Sequence, residues 1–430
     1  MKSSVWNVTH LILSRIKKFP LFKLLYRVSW APKAYHFSLA LFGSLLYRFP
    51  GRKLCVIGIT GTKGKTTTVE LVNAILEMEG KKTALLSSLR VKLGEKSEKN
   101  TLGNSMPGHF FIQNFLKQAE QETCTHAIIE VTSQGIALSR HRFIPWTVAA
   151  LTNLAPEHIE AHGSFEKYRD AKRSFLNYAA RRGAHVFLNI YDARYEFFKE
   201  KLKEARTFSR DIFKEKPIKN DLIKGDFYKD NMALAFQIGR LLGVSDERIY
   251  QAFNAFKGIP GRMDFIQREP FIAVVDYAHT PDSLRSIYET IQNEYIKKKA
   301  GLIGVLGSAG GGRDKWKRPA MGEIAGKYCS CIVLTNEDPY DEDPLEIIRA
   351  VRSGISKDFP QNNIYEILDR KEAIRKAVSL AKSGDAIVFS GKGSESFIHM
   401  AHGETIPWNE REMVEEVLKE KRAQRLEWGS

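Results

Sequence analysis

Glycines, lysines and threonines between Gly61 and Thr67 are spaced in a way that could bind phosphate. Gly61 and Gly64 allow backbone N–H groups to close around phosphate oxygens at the start of a helix, where the helix dipole also favours anions. Lys65 could reach the terminal phosphates, and the hydroxyl of Thr66 could ligate a magnesium ion. The other candidate nucleotide-binding residues of this loop are Thr62, Lys63 and Thr67. The segment therefore predicts a site for a nucleoside triphosphate.

Acidic and histidine side chains farther along the chain could hold the metal ion that accompanies such a nucleotide. Glu130 lies near the end of the apolar run His126–Val131, and a carboxylate there, beside a phosphate loop, is placed to hold magnesium directly or through water. His158 and His162 stand four residues apart, but a third ligand and the H-E-x-x-H order are absent. A zinc site is therefore not predicted.

Strands and helices alternate along two stretches of the chain, which is typical of mainly parallel α/β sheets. In the first stretch, the apolar strand candidates are Cys55–Ile59, His126–Val131, Val148–Leu151 and His185–Leu188. The helix Asp246–Phe256 is predicted next, and the Gly/Pro break at Gly258–Arg262 predicts a hinge. The strand candidates of the second stretch are Ile272–Asp276, Leu302–Leu306, Cys331–Leu334 and Ala386–Phe389.

These patterns predict an α/β protein of three parts. A short helical segment over residues 1–50 precedes a P-loop ATPase domain with a mainly parallel sheet over residues 51–260. A smaller, Rossmann-like domain is predicted over residues 261–430. A chain of this length is long enough for more than one well-buried core.

The composition narrows the classes of partner. The net charge is +16, and the first 54 residues contain ten Lys or Arg and no Asp or Glu. No signature of a nucleic-acid-binding module accompanies this charge, so no nucleic-acid partner is expected. The four cysteines show no C-x-x-C spacing, so we expect reduced thiols and neither a disulfide framework nor a zinc site.

The first fifty residues have competing interpretations. Apolar side chains between Leu11 and Val28 alternate with basic ones at near-helical spacing, as in a basic amphipathic helix that lies on an anionic membrane surface. The apolar run from Phe37 to Tyr47 is about half the ~20 residues that span a bilayer. The alternative is a helical cap that packs on the ATPase core, and an organelle transit peptide is a third reading. We therefore expect either peripheral membrane contact through residues 1–50 or a packed cap.

Several motifs resemble one enzyme family. The phosphate loop has the form G-T-x-G-K-T-T, which resembles the ATP loop of the Mur ligases and their folylpolyglutamate synthetase relatives. The segment from Leu151 to Lys172 resembles T-N-L-x-x-[DE]-H-[LI]-[DE]-x-H-G…Y-x-x-A-K of the UDP-N-acetylmuramoyl-tripeptide synthetases. This resemblance implies that Glu130 and His158 hold a second magnesium ion and that Lys172 is carbamylated by carbon dioxide. A carbamate would turn that cation into an anion that helps to position the metal.

Later motifs extend the resemblance and imply contacts with ATP. The motif that ends at Asn231 resembles G-x-F-N-x-x-N, which implies that this asparagine approaches the adenine. The motif around Arg262 resembles G-V-P-G-R-M-E, which implies that its guanidinium reaches the ATP phosphates. Asp276 and His279 lie in a match to V-D-Y-A-H-T-P-D-[AS]-L, which implies that both contact ATP.

Two further motifs imply a site for an amino acid. The G-K-G-S-E segment that starts at Gly391 and ends at Glu395 resembles G-K-G-H-E, whose glycine and glutamate bind the incoming amino acid in the family. The family's specificity motif D-N-P-R is Glu-Asp-Pro-Tyr here, so Asp338 and Tyr340 are implied substrate-binding residues. A tyrosine cannot form the two charge-assisted hydrogen bonds by which an arginine binds the distal carboxylate of a substrate. Diaminopimelate is therefore disfavoured as the amino acid.

The resemblance implies ATP-dependent amide synthesis on a peptide of the peptidoglycan-precursor type. A substrate carboxylate would attack the γ-phosphate of ATP, and an amine would then capture the acyl phosphate. The implied catalytic residues are Lys65, His158, Lys172 and Arg262, and the implied acceptor-binding residues are Ser133 and Arg140. The expected partners are ATP with Mg²⁺, an amino acid and a peptide carboxylate.

The carrier of that peptide stays open. Only about fifty residues precede the ATP loop, whereas the family has an N-terminal domain that grips uridine diphosphate. The alternative is an amide ligase of the same superfamily that acts on a non-UDP-linked or non-muramoyl acceptor. A catalytically silent, ATP-binding accessory subunit is a competing class. We expect a cytoplasmic monomer or weak dimer, with the inner face of the membrane as its place of contact if residues 1–50 bind lipid.

Overall fold

A computed structural model describes residues 31–157, 159–297 and 299–427 of the 430-residue chain. These residues form two compact units. The first unit holds residues 31–157, 162–218 and 230–255, and the second holds residues 159–161, 219–229 and 256–427. Each unit is built on its own mainly parallel β-sheet. The predicted amphipathic helix between Leu11 and Val28 lies outside the described residues.

The elements up to residue 255 include both strands and helices. The strands are β1 (Cys55–Thr60), β2 (Thr83–Leu86), β3 (Arg90–Leu93), β4 (Lys96–Lys99), β5 (His126–Glu130), β6 (Trp146–Leu151), β7 (His185–Asn189) and β8 (Arg206–Phe208). The helices are α1 (Ala31–Leu46), α2 (Lys65–Met78), α3 (His109–Gln121), α4 (Ser133–Ala137), α5 (Ile159–His162), α6 (Phe165–Ala180), α7 (Tyr195–Lys199), α8 (Asp226–Leu241) and α9 (Asp246–Ala255).

The sheet of the first unit places the phosphate loop at its centre. The strand order is β4-β3-β2-β5-β1-β6-β7-β8, in which the β2–β3 and β3–β4 pairs are antiparallel and the other neighbouring pairs are parallel. Ile57 of β1 pairs with Ile128 of β5 and Val148 of β6, and all three side chains are fully buried. Because β1, β5 and β6 are parallel, their carboxyl ends lie at the same edge of the sheet, where ligands bind in such folds.

Helix α1 packs against α3 within the first unit. The ring of His36 stacks on that of His109 at 5.5 Å, and Phe42 meets Phe110 edge to face at 6.0 Å. For residues 31–46 the structure therefore favours the helical-cap interpretation. Among the described helices, none combines the length and the apolar character that a membrane-spanning segment needs.

The second unit contains a six-stranded sheet, a hairpin and five helices among its described residues beyond 256. The strands are β9 (Asp264–Gln267), β10 (Ile272–Val275), β11 (Leu302–Leu306), β12 (Cys331–Leu334), β13 (Ile364–Glu366), β14 (Ala386–Phe389), β15 (Phe397–His399) and β16 (Thr405–Pro407). The helices are α10 (Pro281–Glu294), α11 (Lys317–Tyr328), α12 (Pro344–Arg352), α13 (Arg370–Leu380) and α14 (Glu410–Glu427).

The second sheet is also mainly parallel. Its order is β13-β12-β11-β14-β10-β9, and only the β9–β10 pair is antiparallel. The β14 strand lies between β10 and β11, so the loops that follow all three strands leave the same edge of the sheet. These two α/β units confirm the predicted fold class.

Candidate active site

The predicted phosphate loop joins β1 to α2, as its sequence requires. Gly61 and Gly64 have φ angles of +152° and +78°, which L side chains rarely adopt. An added Cβ would lie 1.8 Å from Thr152 Oγ1 at Gly61 and 2.2 Å from Asn231 Oδ1 at Gly64. Both positions therefore need glycine for conformation and for space. Asn231, predicted to approach the adenine, lies directly against this loop and accepts a hydrogen bond from Thr68 at 3.3 Å.

Residues after β6 brace the loop from the side. Thr152 Oγ1 and Asn153 Nδ2 both donate to the carbonyl of Lys63, at 2.6 and 3.0 Å. Asn153 Oδ1 in turn accepts from the Lys63 amide at 2.9 Å. Sequence reasoning gave these two residues no role of their own, although both lie in the T-N-L motif. Their hydrogen bonds fix the backbone of the loop at the point where phosphate would bind.

Lys65 and Thr66 occupy the first turn of α2. Lys65 Nζ donates to the carbonyl oxygens of Gly61 and Thr62, at 3.0 and 2.9 Å. Thr66 and its neighbour Thr67 are buried. The ammonium group of Lys65 thus lies over the loop, where it could neutralise phosphate charge.

Thr66, Ser88 and Glu130 bring hydroxyl and carboxylate oxygens together beside the loop. Thr66 Oγ1 donates to Glu130 Oε2 at 3.1 Å and lies 3.0 Å from Ser88 Oγ. The Ser88 amide donates to the same carboxylate oxygen at 3.0 Å. Hard oxygen ligands of this kind, few in number, suit Mg²⁺ that also binds substrate phosphates. The residues therefore fit the implied ion, and sequence reasoning missed Ser88 because a lone serine carries no spacing signal.

The two other predicted metal ligands are His158 and Lys172. His158 lies outside the described residues. Lys172, on α6, is 1% exposed, and its Nζ donates to the carbonyl of Gly61 at 2.7 Å. Within the described residues, no cluster of three or more His, Cys, Asp or Glu could hold a metal by itself.

The electrostatic setting of Lys172 is unusual for a lysine. Burial lowers its pKa well below the ordinary range, and the charge of Lys65 lowers it further. The carboxylates of Glu157 and Glu130 oppose this shift without reversing it. Glu157 itself is buried and accepts from Lys63 Nζ at 2.6 Å. Burial and the charge of Lys65 therefore favour the neutral amine form of Lys172 more than in an exposed lysine.

The predicted acceptor-binding residues lie near α4. Ser133 Oγ is 3.1 Å from His162 Nε2, and Arg140 Nη1 donates to the carbonyl of Met106. The Nε of Arg140 is buried and has no hydrogen-bond partner among the residues that the structure describes. Burial lowers the pKa of this guanidinium, which is the expected effect of a charge held away from water. A guanidinium with an unused donor is suited to bind a carboxylate.

The second unit holds the other predicted ATP-contacting residues. Both oxygens of Asp276 accept backbone N–H groups, from Met263 and Ala278, each at 2.7 Å. The guanidinium of Arg262 stacks 4.2 Å from the ring centre of Tyr277. His279 Nδ1 lies 2.7 Å from the Tyr277 carbonyl. The structure thus groups these side chains where β10 ends, and their contact with ATP stays a prediction.

The predicted amino-acid site lies in the loops that follow β12 and β14. Asp338 Oδ1 and Glu395 Oε2 both accept from Lys392 Nζ, at 2.8 and 2.7 Å. Tyr340 stacks on the ring of His399 at 5.2 Å. Gly391 has a φ angle of +103°, and a Cβ there would lie 2.4 Å from a carboxylate oxygen of Glu337.

Three predicted residues therefore meet around one lysine that sequence reasoning did not single out. Asp338, Gly391 and Glu395 come together at Lys392, whereas Tyr340 lies beside them with Arg313. The Nη2 of that arginine donates to the Tyr340 hydroxyl at 3.0 Å.

Comparisons with known proteins decide the family. The sequence model of the Mur ligase middle domain matches residues 59–241, and that of the Mur ligase glutamate ligase domain matches residues 261–393. A UDP-N-acetylmuramoyl-L-alanyl-D-glutamate–2,6-diaminopimelate ligase of Syntrophomonas wolfei is 34% identical, over 89% of this chain and 82% of the relative. This chain belongs to the Mur ligase family. It is an ATP-dependent ligase that forms carbon–nitrogen bonds.

Other relatives agree with this assignment. A UDP-N-acetylmuramyl-tripeptide synthetase of Borreliella burgdorferi is 32% identical, over 88% of this Mur ligase and 79% of the relative. A solved diaminopimelate ligase has a TM-score of 0.57 at 23% identity and covers 90% of this chain and 82% of its own. A folylpolyglutamate synthase of Mycobacterium tuberculosis has a TM-score of 0.64 at 16% identity, and the match covers 85% of this chain and 95% of the synthase. At these identities the solved structures show a shared fold.

Proposed function

We propose that this Mur ligase adds an amino acid to the carboxylate of a peptidoglycan-precursor peptide and releases ADP and phosphate. The observation that carries the proposal is the grouping of Lys65, Thr66, Glu130 and Lys172 around one phosphate loop. Cations, hydroxyl and carboxylate oxygens in this arrangement suit phosphoryl transfer, which depends on positioning and charge neutralisation. The relatives named for ligation of UDP-N-acetylmuramoyl peptides support the substrate class.

The reaction we propose has two steps. A carboxylate oxygen of the peptide attacks the γ-phosphorus of ATP, the bond to the β–γ bridging oxygen breaks, and ADP leaves. The neutral amine of the amino acid then attacks the acyl carbon, loses a proton and expels inorganic phosphate. Lys65 stabilises the charge of the transferring phosphoryl group, and the Arg140 guanidinium orients the acceptor carboxylate. A bound Mg²⁺ would neutralise phosphate charge, and Thr66 and Glu130 would hold it. We also propose that Arg262, Asp276 and His279 contact ATP.

We further propose that Lys172 reacts with carbon dioxide to give a carbamate. The lone pair of the neutral Nζ forms a bond to the carbon of CO₂, one C=O π pair moves onto oxygen, and the nitrogen releases one proton. Only the deprotonated amine can react in this way. The lowered pKa of Lys172 supports this step because it raises the neutral fraction at ordinary pH. The product would be an anion among the cations Lys63 and Lys65. A carbon-13 NMR signal from labelled bicarbonate, present in the parent chain and absent in Lys172→Met, tests the proposal.

The identity of the amino acid is tested by a panel. ADP release is measured with UDP-N-acetylmuramoyl dipeptide as the acceptor and with L-lysine, L-ornithine, L-alanine and meso-diaminopimelate in turn. We expect turnover with an amino acid other than diaminopimelate, because Tyr340 replaces the arginine of the specificity motif. Turnover only with acceptors that lack uridine diphosphate would support the alternative acceptor class. Absence of turnover with every acceptor would contradict the proposed function.

The N-terminal helix supports a proposal of membrane contact. On α1, the side chains of Phe42, Leu45 and Leu46 are 59%, 53% and 46% exposed. The exposed cations Arg48 and Arg52 follow them, and the first 54 residues contain no acidic side chain. An apolar surface bordered by cations suits an anionic bilayer.

Vesicle sedimentation tests this contact. The parent chain should sediment with vesicles that contain phosphatidylglycerol and stay in solution with pure phosphatidylcholine. A Phe42→Ser, Leu45→Ser double variant should lose binding, whereas Leu345→Ser, which removes a 42% exposed leucine from the second unit, should not. Equal sedimentation of all three chains would contradict the proposal. We expect a monomer or weak dimer in sedimentation velocity without vesicles.

A further inference from the structure

Lys392 lies between two carboxylates of the predicted amino-acid site. Its side chain is 0% exposed, and its ammonium contacts Asp338 at 2.8 Å and Glu395 at 2.7 Å. Burial alone would lower the pKa of this lysine, but the two carboxylates outweigh that effect and the pKa is raised. Lys392 is therefore a permanent cation in the interior of the second unit.

The backbone directs this lysine inward. The glycines on either side, Gly391 and Gly393, have φ angles of +103° and +50°. A Cβ at Gly393 would lie 2.8 Å from the Cβ of Tyr277, so the loop has no room for a side chain there. A lysine that is forced into the interior costs desolvation energy, and the ion pairs serve to hold one arrangement rather than to add stability.

Both carboxylates are fixed by a second contact. The Tyr277 hydroxyl donates to Glu395 Oε1 at 3.0 Å, and the His399 amide donates to Asp338 Oδ1 at 2.8 Å. The Glu395 side chain is 34% exposed, whereas that of Asp338 is 5% exposed. Glu395 can therefore contact a ligand, while Asp338 and Lys392 lie behind it.

The charges of the three residues explain why a cation can stand next to an ammonium-binding carboxylate. Two carboxylates and one ammonium sum to a single negative charge, because Asp338 neutralises Lys392. That charge is carried on Glu395, the exposed member.

We propose that Lys392 is the positioning residue of the amino-acid site, with Asp338 as its counter-charge, and that it holds Glu395 ready to bind the ammonium group of the incoming amino acid. This inference rests on the proposed function and assigns Asp338 a supporting role in place of direct substrate contact. The carboxylate is then in place before the substrate arrives, which lowers the entropic cost of binding.

Steady-state kinetics test the inference with the amino acid that gives turnover in the panel above. Lys392→Met keeps the length of the side chain and removes its charge. It should raise the KM for the amino acid by about ten- to a hundredfold, the scale of one charge-assisted hydrogen bond, with the KM for ATP unchanged. Asp338→Asn introduces the asparagine that the D-N-P-R motif has at this position, so the variant is expected to fold. It should raise the KM for the amino acid by a smaller factor than Lys392→Met. The double variant should bind better than Lys392→Met alone, because it removes one of two facing carboxylates.

Controls separate this role from simple loss of structure. Lys371→Met removes another lysine of the second unit, which pairs with Glu416 at 2.7 Å on the surface, and should change no KM. An unchanged KM for the amino acid in both Lys392→Met and Asp338→Asn, or an equal rise in all KM values, would overturn the inference.

A second readout needs no turnover. In substrate-free crystals of Lys392→Met, the Glu395 carboxylate should leave the Tyr277 hydroxyl, and an unmoved carboxylate would overturn the inference. If the parent chain turns over no acceptor, the proposed function fails while these crystals still decide the role of Lys392.

Discussion

Two lysines buried to the same extent, one in each unit, have opposite surroundings. Lys172 donates to a backbone carbonyl, and among the described residues no carboxylate lies within 4 Å of its Nζ, whereas Lys392 contacts two carboxylates. The pKa is lowered at Lys172 and raised at Lys392. The phosphate site thus keeps an amine that can react or meet a ligand's charge, while the amino-acid site neutralises its lysine internally. The partners of a buried lysine therefore indicate whether it is available to react or serves to position other side chains.

The largest effect should come from the phosphate loop itself. Lys65→Ala removes the ammonium that lies over Gly61 and Thr62, so the charge of the transferring phosphoryl group loses its main protein cation. We expect ADP release to fall by at least about a thousandfold, the upper range for one electrostatic group. Lys96→Ala, at an exposed position of the same unit, is the control and should keep parental activity. A Lys65→Ala chain that still hydrolyses ATP at the parental rate would place the nucleotide elsewhere.

Lys172→Ala should also lose most of its activity, because the predicted carbamate cannot form. Added short-chain carboxylates such as acetate should restore part of the activity by occupying the vacated space with a negative charge. Lys392→Met should show no such rescue, since its lost group is a cation. Full activity of Lys172→Ala without additives would show that no carbamate is needed.

Replacing the two lysines should change the unfolding free energy in opposite directions. Lys392→Met leaves Asp338 and Glu395 facing each other without a cation, and a broken buried pair costs about 3–5 kcal/mol of unfolding free energy. Lys172→Met should instead raise the unfolding free energy at neutral pH. The pKa of Lys172 is lower in the folded chain than in the unfolded chain, so the unfolded chain binds more protons. The unfolding free energy of the parent therefore rises with pH, and at pH 7 the buried lysine destabilises the fold. Denaturant titrations at pH 7 measure both values in buffers freed of carbon dioxide, so that Lys172 stays an amine, and the same sign for both would contradict the comparison.

The eight strands predicted from apolar runs are all present, with ends shifted by no more than two residues, as at Trp146–Leu151. Buried parallel strands carry this signal because both faces are apolar. Other strands were not predicted, among them the short antiparallel strands Arg90–Leu93 and Lys96–Lys99, because their charged side chains interrupt any apolar pattern.

The candidate site could be predicted only in part. The phosphate loop and Glu130 were found because glycine spacing and a strand-end carboxylate are visible in sequence. Ser88 and Lys392 act through partners 42 and 54 residues away, Glu130 and Asp338, which one sequence cannot reveal. The direction of the pKa shift at Lys172 also depends on burial, and no spacing rule encodes burial.

The smallest expected effect concerns Glu337, which lies against Gly391 in the predicted amino-acid site. Burial and the charge of Asp338 raise the pKa of its carboxyl to about 7, although Lys317, Lys392 and Arg370 oppose the shift. Its Oε2 is buried, and no described residue forms a hydrogen bond with it. Between the ordinary pKa of 4.5 and about 7 the folded chain holds the extra proton, so stability present below that window is lost as the pH rises through it.

Glu337→Gln should abolish this loss. Its unfolding free energy should exceed that of the parent at pH 8 by up to about 3 kcal/mol, the equivalent of about two and a half pKa units, and should match the parent below pH 4.5. Denaturant titrations at the two pH values check the difference. A variant that is destabilised equally at both would mean that the carboxyl serves packing alone. Because Lys392 is among the cations that oppose the shift, Lys392→Met should widen the pH window, whereas Lys172→Met, in the other unit, should leave it unchanged.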